Sequence, residues 1–167
     1  MTPTLARRDN YQGLGYYRST AFGETSQRLT QLLRGEAEAM FQLAISLRAK
    51  FDKVRELQEI YNGCSSNNWD GEGANAISES AYVEAARFIR LLPVAFPLPD
   101  IVPEPNGQIG FEWPVRRQHM FVVAVGGTQT LTFAGMFGAD SSTHGTEPFS
   151  DSLPASIVDG LQRLFSE

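Results

Sequence analysis

Two tryptophans, three carboxylates and two histidines are the side chains of this sequence best suited to chemistry. Trp69, Asp70 and Glu72 fall within Asn68-Trp69-Asp70-Gly71-Glu72-Gly73-Ala74, and Glu112 adjoins Trp113. Aromatic faces beside carboxylates are surroundings that a sugar or a cation can use. Asp70-Gly71-Glu72 is also rich in oxygen ligands. A calcium ion, however, needs about six oxygens at set spacing, and the EF-hand pattern is missing, so no metal is expected. The same residues have an architectural use. Asp70 can cap a turn, Trp69 can close the core from its loop, and Trp113 can end a core-facing stripe. Glu112 faces away from Ile109, Phe111 and Trp113, toward solvent or toward Arg116 or Arg117.

His119 and His144 are the only histidines. Imidazole titrates near neutrality and can act as a general base. Cys64 with a histidine would make a nucleophilic pair, but no nucleophile elbow of the form G-x-S-x-G is present. Phosphate loops of the forms G-x-x-x-x-G-K-[ST] and G-x-G-x-x-G after a strand are missing too. No catalytic residue and no cofactor are therefore assigned. The residues left for an alternative pocket are Trp69, Asp70, Glu112, His119 and His144.

With one cysteine the chain can form no intrachain disulfide and no cysteine-based zinc site. A lone thiol suits a reducing compartment. The net charge of −5 opposes a broad nucleic-acid footprint, which needs clustered Lys and Arg, and leaves room for docking on a basic partner. Residues 1–20 hold no apolar segment of a secretory signal, and no apolar run nears the roughly 20 residues of a membrane span. A cytoplasmic address is expected, with no membrane partner.

A frame for these residues comes from apolar periodicity. With 167 residues, 42% apolar and 20% charged, the chain can bury a core in one domain without disulfide or metal. Residues 1–24 show no period and are expected to form a flexible arm, with tyrosines and arginines of the types common at interfaces. A short helix is expected from 25 to near Gly35, on Leu29, Leu32 and Leu33. A long helix follows over 36–61, where Met40, Leu43, Leu47, Phe51, Val54, Leu57 and Tyr61 are three or four apart. Glu36 and Glu38 fall in its first turn, where they suit the helix dipole, and Asn62-Gly63 ends it. Ala37, Phe41, Ala44 and Ile45 make a second apolar face, expected to take a partner helix from this chain or another copy.

Residues 64–76 form a loop of turn-favouring residues. Ser78 N-caps a helix that Pro93 ends, with Tyr82, Ala85, Ala86, Ile89 and Leu92 inward. Pro97, Pro99, Pro103 and Pro105 restrict 101–104 to an edge strand or a connector. Asn106-Gly107 is a hairpin signal. Strands are expected at 108–113, 118–125 and 128–133, with a turn at 114–117. The middle strand is apolar on both faces apart from His119, as a strand covered on both sides is. Residues 134–150 read as a Gly- and Ser-rich loop, and a last helix runs to 165 after Pro154. The expected fold class is α+β: N-terminal helices, one of them long, an antiparallel meander of three to four strands, and a C-terminal helix. Residues 25–167 are expected to be a single domain, with a helical part at 25–62 and a compact helix–meander–helix unit at 66–167.

Between 66 and 133, the Asn68–Ala74 motif, the helix ending in Leu91-Leu92-Pro93, the proline-rich strand and Asn106-Gly107-Gln108-Ile109-Gly110-Phe111-Glu112-Trp113 stand in one order. This resembles a family of small uncharacterised bacterial proteins with a Trp-Asp-Gly-x-Gly-Ala loop and a hydrophobic-Glu-Trp strand. The resemblance implies a bacterial setting and carries no activity. At the level of architecture alone, a meander between helices also resembles antitoxins and immunity proteins.

Loops normally face water, yet Met136, Phe137 and Phe149 fall in the loop at 134–150. They either tuck beneath it or form an apolar patch that marks an interface. Small size, acidity and missing catalytic motifs make non-catalytic protein binding the expected function. The specific expectation is an inhibitor that occludes a protein partner in a bacterial conflict system: an antitoxin, immunity protein or anti-CRISPR. The expected partner surface is Trp69, Asp70, Glu72, Met136, Phe137 and Phe149 with the 36–61 helix, which is also the expected route to a homo-oligomer. The alternative is a small enzyme or ligand-binding domain around Trp69, Asp70, Glu112 and His119 or His144, which requires convergence on one pocket.

Overall fold

Prolines and glycines mark where the polypeptide changes direction. The computed structural model describes residues 20–166, with side chains from Gly23 to Ser166; the arm at 1–19 lies outside the described residues. Helix α1 (Thr20–Cys64) is one continuous helix. It takes up 20–24, expected in the arm, and it runs through Gly35, expected as a stop. A glycine inside a helix costs about 1 kcal/mol against alanine but does not end the helix. A glycine ends a helix most readily when it takes up the left-handed region, and Gly35 is not among the positive-φ residues. Glu36 and Glu38 consequently lie mid-helix rather than in a first turn. Packing divides the chain into two units, Met1–Phe41 and Gln42–Glu167. The described part of the first is the α1 segment up to Phe41. The loop at 62–76 lies within the second.

In the second unit, helix α2 (Glu79–Leu91) begins where the sequence predicts. Ser78 is extended, and its hydroxyl accepts the Ala81 N–H at 3.1 Å. The helix closes at Leu92, whose N–H bonds to the Phe88 carbonyl just before Pro93. Five strands follow: β1 (Asp100–Pro103), β2 (Ile109–Arg116), β3 (His119–Val125), β4 (Thr130–Phe137) and β5 (Ser142–Pro148). They form one antiparallel meander in the order β1-β2-β3-β4-β5. Helix α3 (Ala155–Phe165) completes the α+β fold. Helix α2 lies on β2 and β3, and α3 on β3 and β4.

The meander differs from expectation at three places. It has five strands, not three or four, because β4 runs on to Phe137 and Ser142–Pro148 pairs with it. That segment has almost no apolar alternation of its own; it is a strand because β4 offers an unpaired edge, and strand propensity yields to such context. Second, β2 continues through Pro114, where a turn was expected. Pairing with β1 ends at Glu112, so beyond it β2 is bonded only to β3, with a register shift between Pro114 and Arg116. A proline is tolerated at an edge or a bulge. Third, β3 is not covered on both faces. Phe121, Val123 and Val125 are fully buried under the helices, whereas Met120, Val122 and Ala124 are half-buried on the opposite side.

The core is aromatic on its helical side. Phe88 of α2 stacks on Phe111 at 4.6 Å between ring centroids. Phe121 sits between two glycines: an added Cβ would approach its ring to 2.7 Å from Gly135 on β4 and 2.4 Å from Gly160 on α3. These glycines let α3 lie close on the sheet. At the end of α1, Leu57 and Cys64 are buried and Tyr61 stacks on Tyr82 at 4.9 Å. Lys50 donates to the Arg90 carbonyl at 2.9 Å and to the Leu92 carbonyl, which places a cation at the C-terminus of α2.

Candidate functional site

The loop carrying the Trp-Asp-Gly-x-Gly-Ala pattern folds on its own polar groups. Asp70 Oδ1 accepts the backbone N–H of Glu72 at 2.8 Å and of Ala74 at 3.0 Å. These donors, Ala74 first, hold its carboxyl below the usual aspartate range. Asn68, at φ 61°, accepts the Gly73 N–H on its side chain, and Asn67 accepts that of Ala76. Trp69 is half-buried against the core and donates from Nε1 to the Asn75 carbonyl at 3.0 Å. Asn75 N–H then bonds to the Pro105 carbonyl. The motif thus ties α1 to the β1–β2 turn, and its carboxylate is engaged in doing so. Glu72 is exposed.

The other named residues lie elsewhere. Trp113 is buried and donates to the Pro97 carbonyl at 2.8 Å. Glu112 and His144 share a face of the sheet, since the register aligns Glu112, Val122, Ala134 and His144 in one row across β2 to β5. Three strand spacings separate them, about 14 Å. His119, at the β2–β3 turn, accepts from the Arg116 guanidinium at 3.0 Å on Nε2. Trp69 and Asp70 stand by the opposite end of β2, roughly 23 Å away along an eight-residue strand. The structure therefore does not bring Trp69, Asp70, Glu112, His119 and His144 into one pocket. Cys64 is buried, and burial pushes its thiol up, away from the thiolate a nucleophile needs. Among the described residues, no group of three or more His, Cys, Asp or Glu could hold a metal ion.

Of the expected partner surface, Phe137 and Phe149 are core residues, 7% and 2% exposed, and so give no outward contact. Phe137 points inward because it extends the alternation of β4, and Phe149 because it packs edge-on to Phe88 at 6.1 Å. Met136 is 45% exposed on the other side of β4. It belongs to an open sheet face made by Met120, Val122 and Ala124 of β3, Thr132, Ala134 and Met136 of β4, and Ser142, His144 and Thr146 of β5. A shallow depression of about 340 Å³ runs across it, lined by Val122, Ala124, Thr132, Ala134, His144 and Thr146.

Sequence reasoning did not mark a second depression, of about 420 Å³, between α2 and the β3–β4 turn. Glu84 lines it, 5% exposed, with a buried Oε2 that has no hydrogen-bond partner. Its signal was its place in the inward stripe of α2, three residues after Ala81 and four before Phe88. No protein-family model matches the chain, and neither a curated protein nor a solved structure does.

Proposed function

We propose that this chain is a non-catalytic protein-binding protein that inhibits a partner by lying across it. The setting is bacterial and cytoplasmic, of the antitoxin, immunity-protein or anti-CRISPR kind. The observation that carries this reading is the open face of the sheet. An antiparallel sheet with one wet face normally alternates apolar inside with polar outside. Here β3 presents Met120, Val122 and Ala124 outward and β4 presents Ala134 and Met136. Such a contiguous apolar surface is a mark of an interface. Glu112 and His144 at its two sides supply a polar rim, the arrangement common in protein–protein interfaces. No helix among the described residues is long and apolar enough to cross a membrane.

The test uses the immobilised chain in bacterial extract, beside the Met136→Glu variant. Met136 is surface-exposed, so the variant should keep its stability within about 0.5 kcal/mol. The expected result is stoichiometric capture of one protein, its release by Met136→Glu, and loss of that protein's own activity in the complex. Capture that Met136→Glu leaves unchanged would contradict the reading.

A further inference from the structure

We propose that α1 is a self-association helix, its apolar seam from Leu29 to Phe51 covered by the same seam of a second copy. The seam and the open sheet face share no residue, so each is tested by its own variant.

The spacing is the first support. Leu33, Met40, Leu47, Val54 and Tyr61 recur every seven residues, and Leu29, Leu43 and Leu57 each stand four residues before one of them. A strict seven-residue repeat of this kind is what keeps one seam of a helix against a partner helix. Two charged residues, Glu36 and Lys50, interrupt it, and Lys50 is already engaged at the end of α2.

Continuity with the packed part of the same helix is the second. Val54, Leu57 and Tyr61 of the repeat pack into the core of the compact unit. Leu29, Leu33, Met40, Leu43 and Leu47 of the same repeat are 49% to 73% exposed. A groove of about 250 Å³, lined by Leu47, Lys50, Phe51, Val54 and Arg90, continues the seam where the packed part begins.

The area is sufficient. Leu29, Leu32, Leu33, Met40, Leu43, Leu47 and Phe51 are each about half or more exposed, and seven such large side chains offer an area on the order of the about 800 Å² that each partner contributes to a standard interface. Isolated helices in water are marginal, and most helical stability in proteins comes from packing of an apolar face. This helix has such a face and needs a cover for it.

Charge selects the occupant. The whole chain carries −5, which sets copies against each other in general. Between 23 and 49, however, Glu24, Glu36 and Glu38 are balanced by Arg28, Arg34 and Arg48. A partner of strong opposite charge finds no field to match on this stretch. A membrane-surface helix would carry an excess of Lys and Arg beside its apolar face, and that excess is missing. A second copy brings the same neutral mixture of both signs.

The test is light scattering with sedimentation velocity on the full chain, from about 1 to 100 µM, a range that brackets a micromolar Kd. The wild type should sediment at twice its 18.4 kDa mass at the upper end and dissociate on dilution. In Leu33→Glu/Met40→Glu, charge enters the seam without touching the core, and dimerisation should weaken by about a hundredfold or more. Its melting at low concentration should match the wild type, which separates lost association from lost folding. A wild type that stays monomeric throughout, or a dimer that the double variant leaves intact, would overturn the proposal. The double variant should still capture any protein held by the open sheet face.

Discussion

Along α1, apolar residues recur at one spacing from Leu29 to Tyr61, yet their surroundings change midway. From Val54 onward they meet the core: Leu57 is fully buried, and Tyr61 stacks on Tyr82. From Leu29 to Phe51 they face water, Met40 at 73% and Phe51 at 72% exposed. Among the described residues, nine of the thirteen exposed large apolar side chains lie on this one helix. Scattered exposed apolar residues are ordinary on a folded protein, whereas a concentration of them marks a surface meant for something else. Residue type and period are alike in the two halves, so what differs is the availability of a neighbour. The open sheet face teaches the same lesson on β3, whose two sides are both apolar and only one of which the helices reach.

The comparison breaks first if the two halves of α1 respond alike to truncation. Leu57→Ala removes a fully buried side chain and should cost about 3 kcal/mol in urea unfolding. Leu33→Ala at low protein concentration should cost less than about 0.5 kcal/mol. Equal costs would mean that Leu33 is packed as Leu57 is. Gly160→Ala tests the tightness of the compact unit: a methyl group pressed 2.4 Å from the buried Phe121 ring should cost about 2 kcal/mol through overpacking, visible as a lowered Tm. Lys50→Ala sits at the junction of the two halves. It removes two charge-assisted bonds to the end of α2 and should cost about 1 kcal/mol.

The smallest effect concerns pH. Backbone donors, from Ala74 and then Glu72, lower the Asp70 carboxyl in the folded state. Its contribution is therefore present above the unfolded aspartate value of about 3.9 and is lost as pH falls through the lower native value. Asp70→Asn should melt below the wild type near neutrality, and the gap should close in acid. A gap that persists once the carboxyl is protonated in both states would assign the effect to loop geometry rather than to charge.

Much of the compact unit was legible locally. Ser78 and Pro93 bound α2 because capping and the missing proline N–H act within one turn. Asn106-Gly107 turns the chain between β1 and β2, with Gly107 at φ 87°. Ile109, Phe111 and Trp113 alternate inward as their spacing implies. What escaped depends on distant neighbours. Strand β5 exists because β4 leaves an edge, and Gly35 passes unnoticed through α1 because no positive φ is demanded there. The architectural side of the Trp69–Ala74 loop was readable from Asn, Asp and Gly. Which residues share a face was not, since the sheet register that sets Glu112 and His144 in one row and His119 at a distant turn is a tertiary fact. Phe137 and Phe149 look like loop aromatics until that register turns them inward.

Amide hydrogen exchange across a concentration series tests most directly the claim that α1 carries a seam awaiting a second copy. Amides in β2 to β4 should exchange slowly at every concentration. Those from 29 to 47 should be slow at about 100 µM and speed up on dilution through the low micromolar range, as expected when protection depends on association. Protection of 29–47 that is the same at all concentrations, or exchange there that is fast at all of them, would contradict the account.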